Sequence, residues 1–96
     1  MDLLYIHVSI HYPKPGKENL LIESMHKFGK SMEGHKGLIA VHTIKDEGTN
    51  RFIGLVVWES KENWLTARPA MIDAVKDDPF EDWELKPPEV NHLIPL

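Results

Sequence analysis

LIAVHTIKDEGTNRFIGLVVW, residues 38–58, decides the fold. Leu38 to Lys45 and Arg51 to Trp58 are rich in β-branched and aromatic residues, and Asp46, Glu47, Gly48, Thr49 and Asn50 form a short polar link of hairpin type. Two antiparallel strands are expected at the centre of the chain. Moving outward, each flank of this hairpin carries a helical pattern. On the N-terminal side, Lys17 to Glu33 repeats apolar residues at Leu21, Met25, Phe28 and Met32, with Glu18, Glu23, Lys27 and Lys30 elsewhere on the surface. Pro13, Pro15 and Gly16 mark its entry, and Gly34 to Gly37 its exit. On the C-terminal side, Ser60 sits where an N-cap belongs, its hydroxyl able to accept from an amide two or three residues on, and a helix from Lys61 to Lys76 follows. Pro69 interrupts that stretch, so the helix is expected to kink or divide after Arg68.

The outermost segments alternate. Leu3 to Tyr12 sets Leu4, Ile6, Val8 and Ile10 against Tyr5, His7, Ser9 and His11. Glu89 to Leu96 sets Val90, His92 and Ile94 against Asn91 and Leu93, with Pro95 suited to an edge. Asp77 to Pro88 is rich in acid and proline and reads as an irregular, solvated connection. The order strand, helix, strand, strand, helix, strand is the split βαβ arrangement of a ferredoxin-like sandwich, an α+β fold with an antiparallel sheet. Residues 1–96 are expected to form a single domain, with the helices lying on the Leu4, Ile6, Val8, Ile10 face. That leaves Tyr5, His7, Ser9 and His11, joined by His92, as a pocket wall or dimer seam: too polar for a dry core, too aromatic for open solvent.

Composition narrows the classes. A 96-residue chain buries only about 60–65% of its unfolded surface, so association with a second copy would supply stability. The chain has no cysteine, which removes disulfides, thiol nucleophiles and cysteine-bound metals and suits a reducing, cytoplasmic setting. No apolar run approaches the ~20 residues of a membrane span, and no signal-peptide pattern opens the chain. A net charge of −4 without a basic stripe opposes binding to nucleic acid. The run Asp77, Asp78, Glu81, Asp82, Glu84 lacks the alternating oxygen donors and central glycine of a calcium loop and reads as solvated surface.

Three stretches then carry a family likeness: Val56-Val57-Trp58-Glu59-Ser60 running into a polar helix start, the Arg68-Pro69 break, and the terminal Pro88-Glu89-Val90-Asn91-His92. With the element order, these make nearly the whole chain resemble the antibiotic biosynthesis monooxygenase family of small dimeric α+β-barrel proteins. The resemblance implies a homodimer whose two sheets pack face to face, with a substrate cavity in each protomer between sheet and helices. It implies, for some members, oxidation of aromatic polyketides by molecular oxygen with neither metal nor flavin; others degrade haem or act on small signalling metabolites.

Cofactor-free oxygenation needs a substrate that ionises to an electron-rich anion, a group to take its proton and a pocket that excludes water. Histidine suits the proton-handling role near neutral pH. The resemblance thus makes His7 and His92 the candidate catalytic groups. Trp64 is then the candidate wall, Asn63 a donor and Arg68 an anion clamp, with His11 and His42 as further substrate-binding candidates. The family uses Asn, Trp and Arg or Tyr, but Asn63 and Trp64 are adjacent and point about 100° apart on a helix, so they cannot both face one cavity squarely. No cofactor and no metal site is expected. His7 and His11 are separated by roughly 13 Å along a strand, too far to share a metal. The haem-degrading branch would need a histidine on the second helix, and Lys61 to Lys76 contains none. His26 and His35 are expected to face solvent and Trp58 to pack in the core or dimer seam. The expectation is a cofactor-independent monooxygenase acting on a small aromatic or carbonyl metabolite. The alternative is a non-catalytic dimeric domain that binds a small molecule or a protein.

Overall fold

A computed structural model describes residues 3–96; residues 1 and 2 of the expected 1–96 domain lie outside the described residues. In chain order the elements are β1 (Tyr5–His11), α1 (Glu18–Lys30), β2 (Leu38–Lys45), β3 (Phe52–Trp58), α2 (Lys61–Val75), α3 (Phe80–Trp83) and β4 (Glu89–Leu93). The strands form one antiparallel sheet in the order β2-β3-β1-β4, the ferredoxin-like arrangement expected from the element order. Asp46 and Arg51 close the β2–β3 hairpin as an ion pair, and the Asp46 carboxylate also accepts from the Gly48 amide. The Ser60 hydroxyl accepts from the Asn63 amide at 3.2 Å and caps α2 as its position foretold. Gly37 ends the α1–β2 connection with φ 88°, and a Cβ there would lie 2.3 Å from the Asn63 side chain, so the position demands glycine twice over.

The covered face of the sheet is the reverse of the one expected. Directly opposed residues of an antiparallel pair share a face. The register sets Tyr5 opposite Trp58, His7 opposite Val56, Ser9 opposite Gly54 and His11 opposite Phe52. These are the residues beneath the helices. Tyr5, Val56 and Trp58 are buried with Met32, Ala67 and Met71, and Phe52 with Leu21 and Met25. Ile6, Val8 and Ile10, opposed by Val57, Leu55 and Ile53, lie on the side the helices leave bare. Alternation separates two faces but does not say which is covered, and β3 is apolar on both. Aromatic volume decides it: Tyr5, Phe52 and Trp58 fill the space under the methionine- and phenylalanine-bearing side of α1 and α2. Trp58 and Leu21 are completely enclosed, and burial of the Leu21 side chain contributes roughly 1.5–3 kcal/mol.

Three further expectations change. The 15-residue α2 runs unbroken through Pro69. The carbonyl that proline deprives of a donor is that of Leu65, and both residues are exposed, so water can satisfy it. The connection from 77 to 88 contains the short helix α3, anchored by Phe80 and Trp83 edge to face at 5.9 Å. The acidic run is only partly solvated: Asp78 accepts from Ser24 and Lys27, and Glu84 is 5% exposed. Glu84 is carried inward because its neighbours extend the sheet end, with the Leu85 amide donating to the Tyr12 carbonyl and the Lys14 amide to that of Trp83, both at 2.8 Å.

Candidate functional site

Two adjoining cavities lie between the covered face and the helices, each of about 230 Å³. They share His7, Phe28 and Val90. The first extends over Ser9, Gly54 and His11 beneath Met25 and Phe28 of α1. The second opens toward α2 and is bordered by Trp64, Arg68, Met71 and His92. The site exists because β1 and β4 place a histidine pair opposite each other, in register, on the helix side of the sheet.

His7 and His92 stack with ring centroids 4.9 Å apart and planes 10° from parallel. Tyr5 also stacks on His92 at 5.5 Å, and Trp64 meets His92 edge-on at 4.9 Å. Phe28 and Trp64 approach His7 at 6.3 and 6.5 Å. The Arg68 guanidinium stands 5.7 Å from the centre of the Trp64 ring, a cation–π contact that brings a permanent positive charge to the cavity rim. The proton affinity of His7 is low in these surroundings. Burial, first of all, and then the neighbouring His92 and His11, push it down from 6.5 to about 4, so the ring is neutral at pH 7. His7 Nδ1 and Trp64 Nε1 are buried without a hydrogen-bond partner among the described residues. Unpaired buried polar atoms cost free energy, so a ligand that pairs with them regains it.

His11, two positions beyond Ser9, is held differently. Its Nδ1 lies 3.0 Å from Glu84 Oε1 and its Nε2 lies 2.9 Å from Ser9 Oγ.

The residues singled out from the sequence thus fall into three groups. His7, His92, Trp64 and Arg68 converge on one cavity. His11 lines the other. Asn63 and His42 stand apart. The Asn63 side chain accepts from the Ser60 hydroxyl at 2.8 Å and packs over Gly37, and it borders neither cavity. His42 touches the first cavity between Val41 and Thr43, but its register partner is Leu55, so its ring belongs to the bare face and is exposed. His26 is exposed and His35 half-buried. The sequence pattern places Tyr5 on the polar face of its strand and Phe28 in the helix core; both help to shape the histidine site. Glu84 carries no local sign of its role, because 73 residues separate it from His11.

Among the described residues no group of three or more His, Cys, Asp or Glu is placed to hold a metal, and no helix is long and apolar enough to cross a membrane. No family model matches the sequence, and no curated protein does. Solved structures do. The Mycobacterium tuberculosis protein Rv0793 superposes with a TM-score of 0.83 at 13% identity, over 97% of this chain and 95% of its own. A candidate antibiotic biosynthesis monooxygenase from Nitrosomonas europaea gives 0.82 at 12% identity, over 100% of this chain and 93% of its own. Another so described, from Chloroflexus aurantiacus, gives 0.72 at 17% identity, over 97% and 93%. At these identities the likeness is one of architecture, and it agrees with the resemblance read from the sequence: the chain has the ferredoxin-like α+β fold shared by structures described as antibiotic biosynthesis monooxygenases.

Proposed function

We propose that this protein is a dimeric, cofactor-independent monooxygenase that binds a small, acidic aromatic or carbonyl compound against His7, His92 and Trp64. The observation that carries the proposal is the stacked His7–His92 pair beside a cavity, with His7 Nδ1 and Trp64 Nε1 buried and unpaired. A phenol or enol placed there gives its proton to His7. An imidazolium alone is unfavourable at this position, but the substrate anion beside it reverses the sign of the local field, and Arg68 at the rim adds to the attraction. The ionised substrate is electron-rich, and the apolar walls from Phe28 and Met71 keep water from its reactive carbon. Electrons for oxygen then come from the substrate itself.

Dimer formation is part of this reading. The bare face presents Ile6, Val8, Ile10, Ile53, Leu55 and Val57 together, with Ile44 of the edge strand 45% exposed. A patch of this kind on a small domain calls for a partner, and two such sheets can pack about 10 Å apart. A cytoplasmic setting, suited to a chain without cysteine, goes with it. Leu55→Lys at the patch centre is expected to convert a dimer into a monomer in analytical ultracentrifugation while far-UV circular dichroism is retained.

One observation favours a second reading. A histidine with a pKa of about 4 is a weak base and a good neutral acceptor, as in a site that binds a ligand without turning it over. Oxygen consumption with phenolic and quinol substrates separates the two. The monooxygenase reading expects uptake that falls at least ~10²-fold in His7→Ala, within the usual range for a general base. Quenching of Trp64 fluorescence by the same compounds with no oxygen uptake selects the binding reading.

A further inference from the structure

We propose that Ser9, His11 and Glu84 form a nucleophilic acyl-transfer centre that cleaves short-chain esters in the first cavity, an activity separate from the oxygenase site around His7 and His92. Ser9 Oγ lies 2.9 Å from His11 Nε2, and His11 Nδ1 lies 3.0 Å from Glu84 Oε1. A carboxylate only accepts hydrogen bonds, so Glu84 fixes the His11 proton on Nδ1 and leaves the Nε2 lone pair facing the Ser9 hydroxyl. That is the tautomer a serine nucleophile needs from its base. The relay is enclosed: the His11 and Glu84 side chains are 12% and 2% exposed. It is also built by the fold. Glu84 receives the turn from α3, its amide donating to the Phe80 carbonyl at 2.8 Å, while the adjoining backbone bonds hold it against the end of β1. Gly54 faces Ser9 across the sheet, and a Cβ there would come within 2.8 Å of the hydroxyl, so glycine leaves the space above the nucleophile open.

Ser9 and His11 both line the cavity, whose apolar walls include Met25, Phe28, Met32 and Val56. A small acyl group is the chemistry that fits. In the reaction, Ser9 Oγ bonds to the ester carbonyl carbon while its proton passes to His11 Nε2. The carbonyl–alkoxy bond then breaks, and His11 returns that proton to the departing alcohol. Water hydrolyses acyl-Ser9 by the same proton path, releasing a carboxylic acid, with no change in oxidation state. Ser9 and His11 are catalytic residues here and Glu84 is a positioning residue. Thr43 shares the cross-strand row with Gly54 and Ser9 but stands two strand spacings away, roughly 9–10 Å, so it gives the oxyanion no donor. Turnover is therefore expected to be slow, on the order of 10²–10³ below a site with a full oxyanion hole.

The test uses the intact protein with p-nitrophenyl acetate, read as the nitrophenol burst and by peptide mass mapping. One acetyl group on Ser9 is expected, lost in Ser9→Ala and His11→Gln. Glu84→Gln should slow acylation at least ~10-fold by offering an amide N–H that forces the other tautomer, and Glu84→Asp should restore part of the rate. A second arm does not depend on turnover. In Ser9→Cys, alkylation by iodoacetamide should stay fast well below the ordinary thiol range near pH 8.5, and adding Glu84→Gln should abolish that advantage. Among the described residues, the ionisable groups placed against His11 are Glu84 and, from its own strand, His7; α1 and β3 present Ser24, Met25, Phe28, Gly54 and Val56 to the cavity. Acetylation confined to lysines, a Ser9→Ala protein that acylates at the wild-type rate, or ordinary thiol pH dependence in the Ser9→Cys protein would each overturn the proposal. Acyl transfer consumes no oxygen, so these outcomes are independent of the oxygenase reading.

Discussion

His7 and His11 stand four residues apart on one face of β1, and both border the same cavity. Their neighbours differ in kind. Around His7 lie rings: Phe28, Trp64 and a second histidine, none of which pairs with its Nδ1. Around His11 lie an acid and a hydroxyl, one for each ring nitrogen. At the first position the environment penalises the cation and leaves a polar atom without a partner; at the second it specifies a tautomer. One strand thus carries two imidazoles of different chemistry: β1 itself supplies the Ser9 hydroxyl to His11, and the rest of the difference comes from α1, α2, β4 and Glu84 after α3.

The largest perturbation should come from removing the acid. Glu84→Ala leaves His11 Nδ1 without its acceptor in an enclosed site and is expected to destabilise the fold by about 2–3 kcal/mol, read as a lower midpoint in urea denaturation. The next is a pH effect at the other histidine. The folded state holds His7 at about 4 against 6.5 for a free ring, so between these values the unfolded chain binds more protons. Stability should fall as pH drops from about 6.5 toward 4 and level off below, by on the order of 1–2 kcal/mol once solvent screening of a partly enclosed ring is included. In His7→Phe that component of the pH dependence should vanish; an unchanged dependence would place its origin elsewhere. The smallest effect sharpens the cause. His92→Phe keeps the stacking surface and removes one repelling charge, so the His7 midpoint followed by NMR should rise yet stay below 6.5, because burial, the larger cause, remains.

The faces of the sheet offer a parallel lesson in what local pattern can and cannot reveal. The four strands, the first helix, the hairpin at 46–50 and the Ser60 cap all follow from such pattern and appear where it puts them to within a few residues, whereas the break expected after Arg68 is absent and the connection at 77–88 holds a short helix. The pairing of His7 with His92 also has a local basis, since both lie on alternating segments at the two ends of the chain. Ser9 is visible in the sequence as a neighbour on the His7 and His11 side, but its hydroxyl has no evident use until Glu84 reaches His11. Glu84 itself looks like one more acid in a solvated run. Only the backbone bonds of Tyr12 to Leu85 and of Lys14 to Trp83 turn it inward, and nothing local encodes them. Asn63, adjacent to Trp64, is limited by helical geometry whatever its contacts; the fold uses it at the cap.

From its letters alone this chain commits itself to βαββαβ, because periods of two and of 3.6 residues, turn residues and caps act over a few positions and do not depend on distant partners. Which side of the sheet the helices occupy, and which acid meets which histidine, were left to packing. Both sheet faces are apolar enough to be buried, and the choice between them rests on how Tyr5, Phe52 and Trp58 fill volume against α1 and α2. Such complementarity is a property of the assembled interior, since it exists only once segments far apart in sequence share the same space.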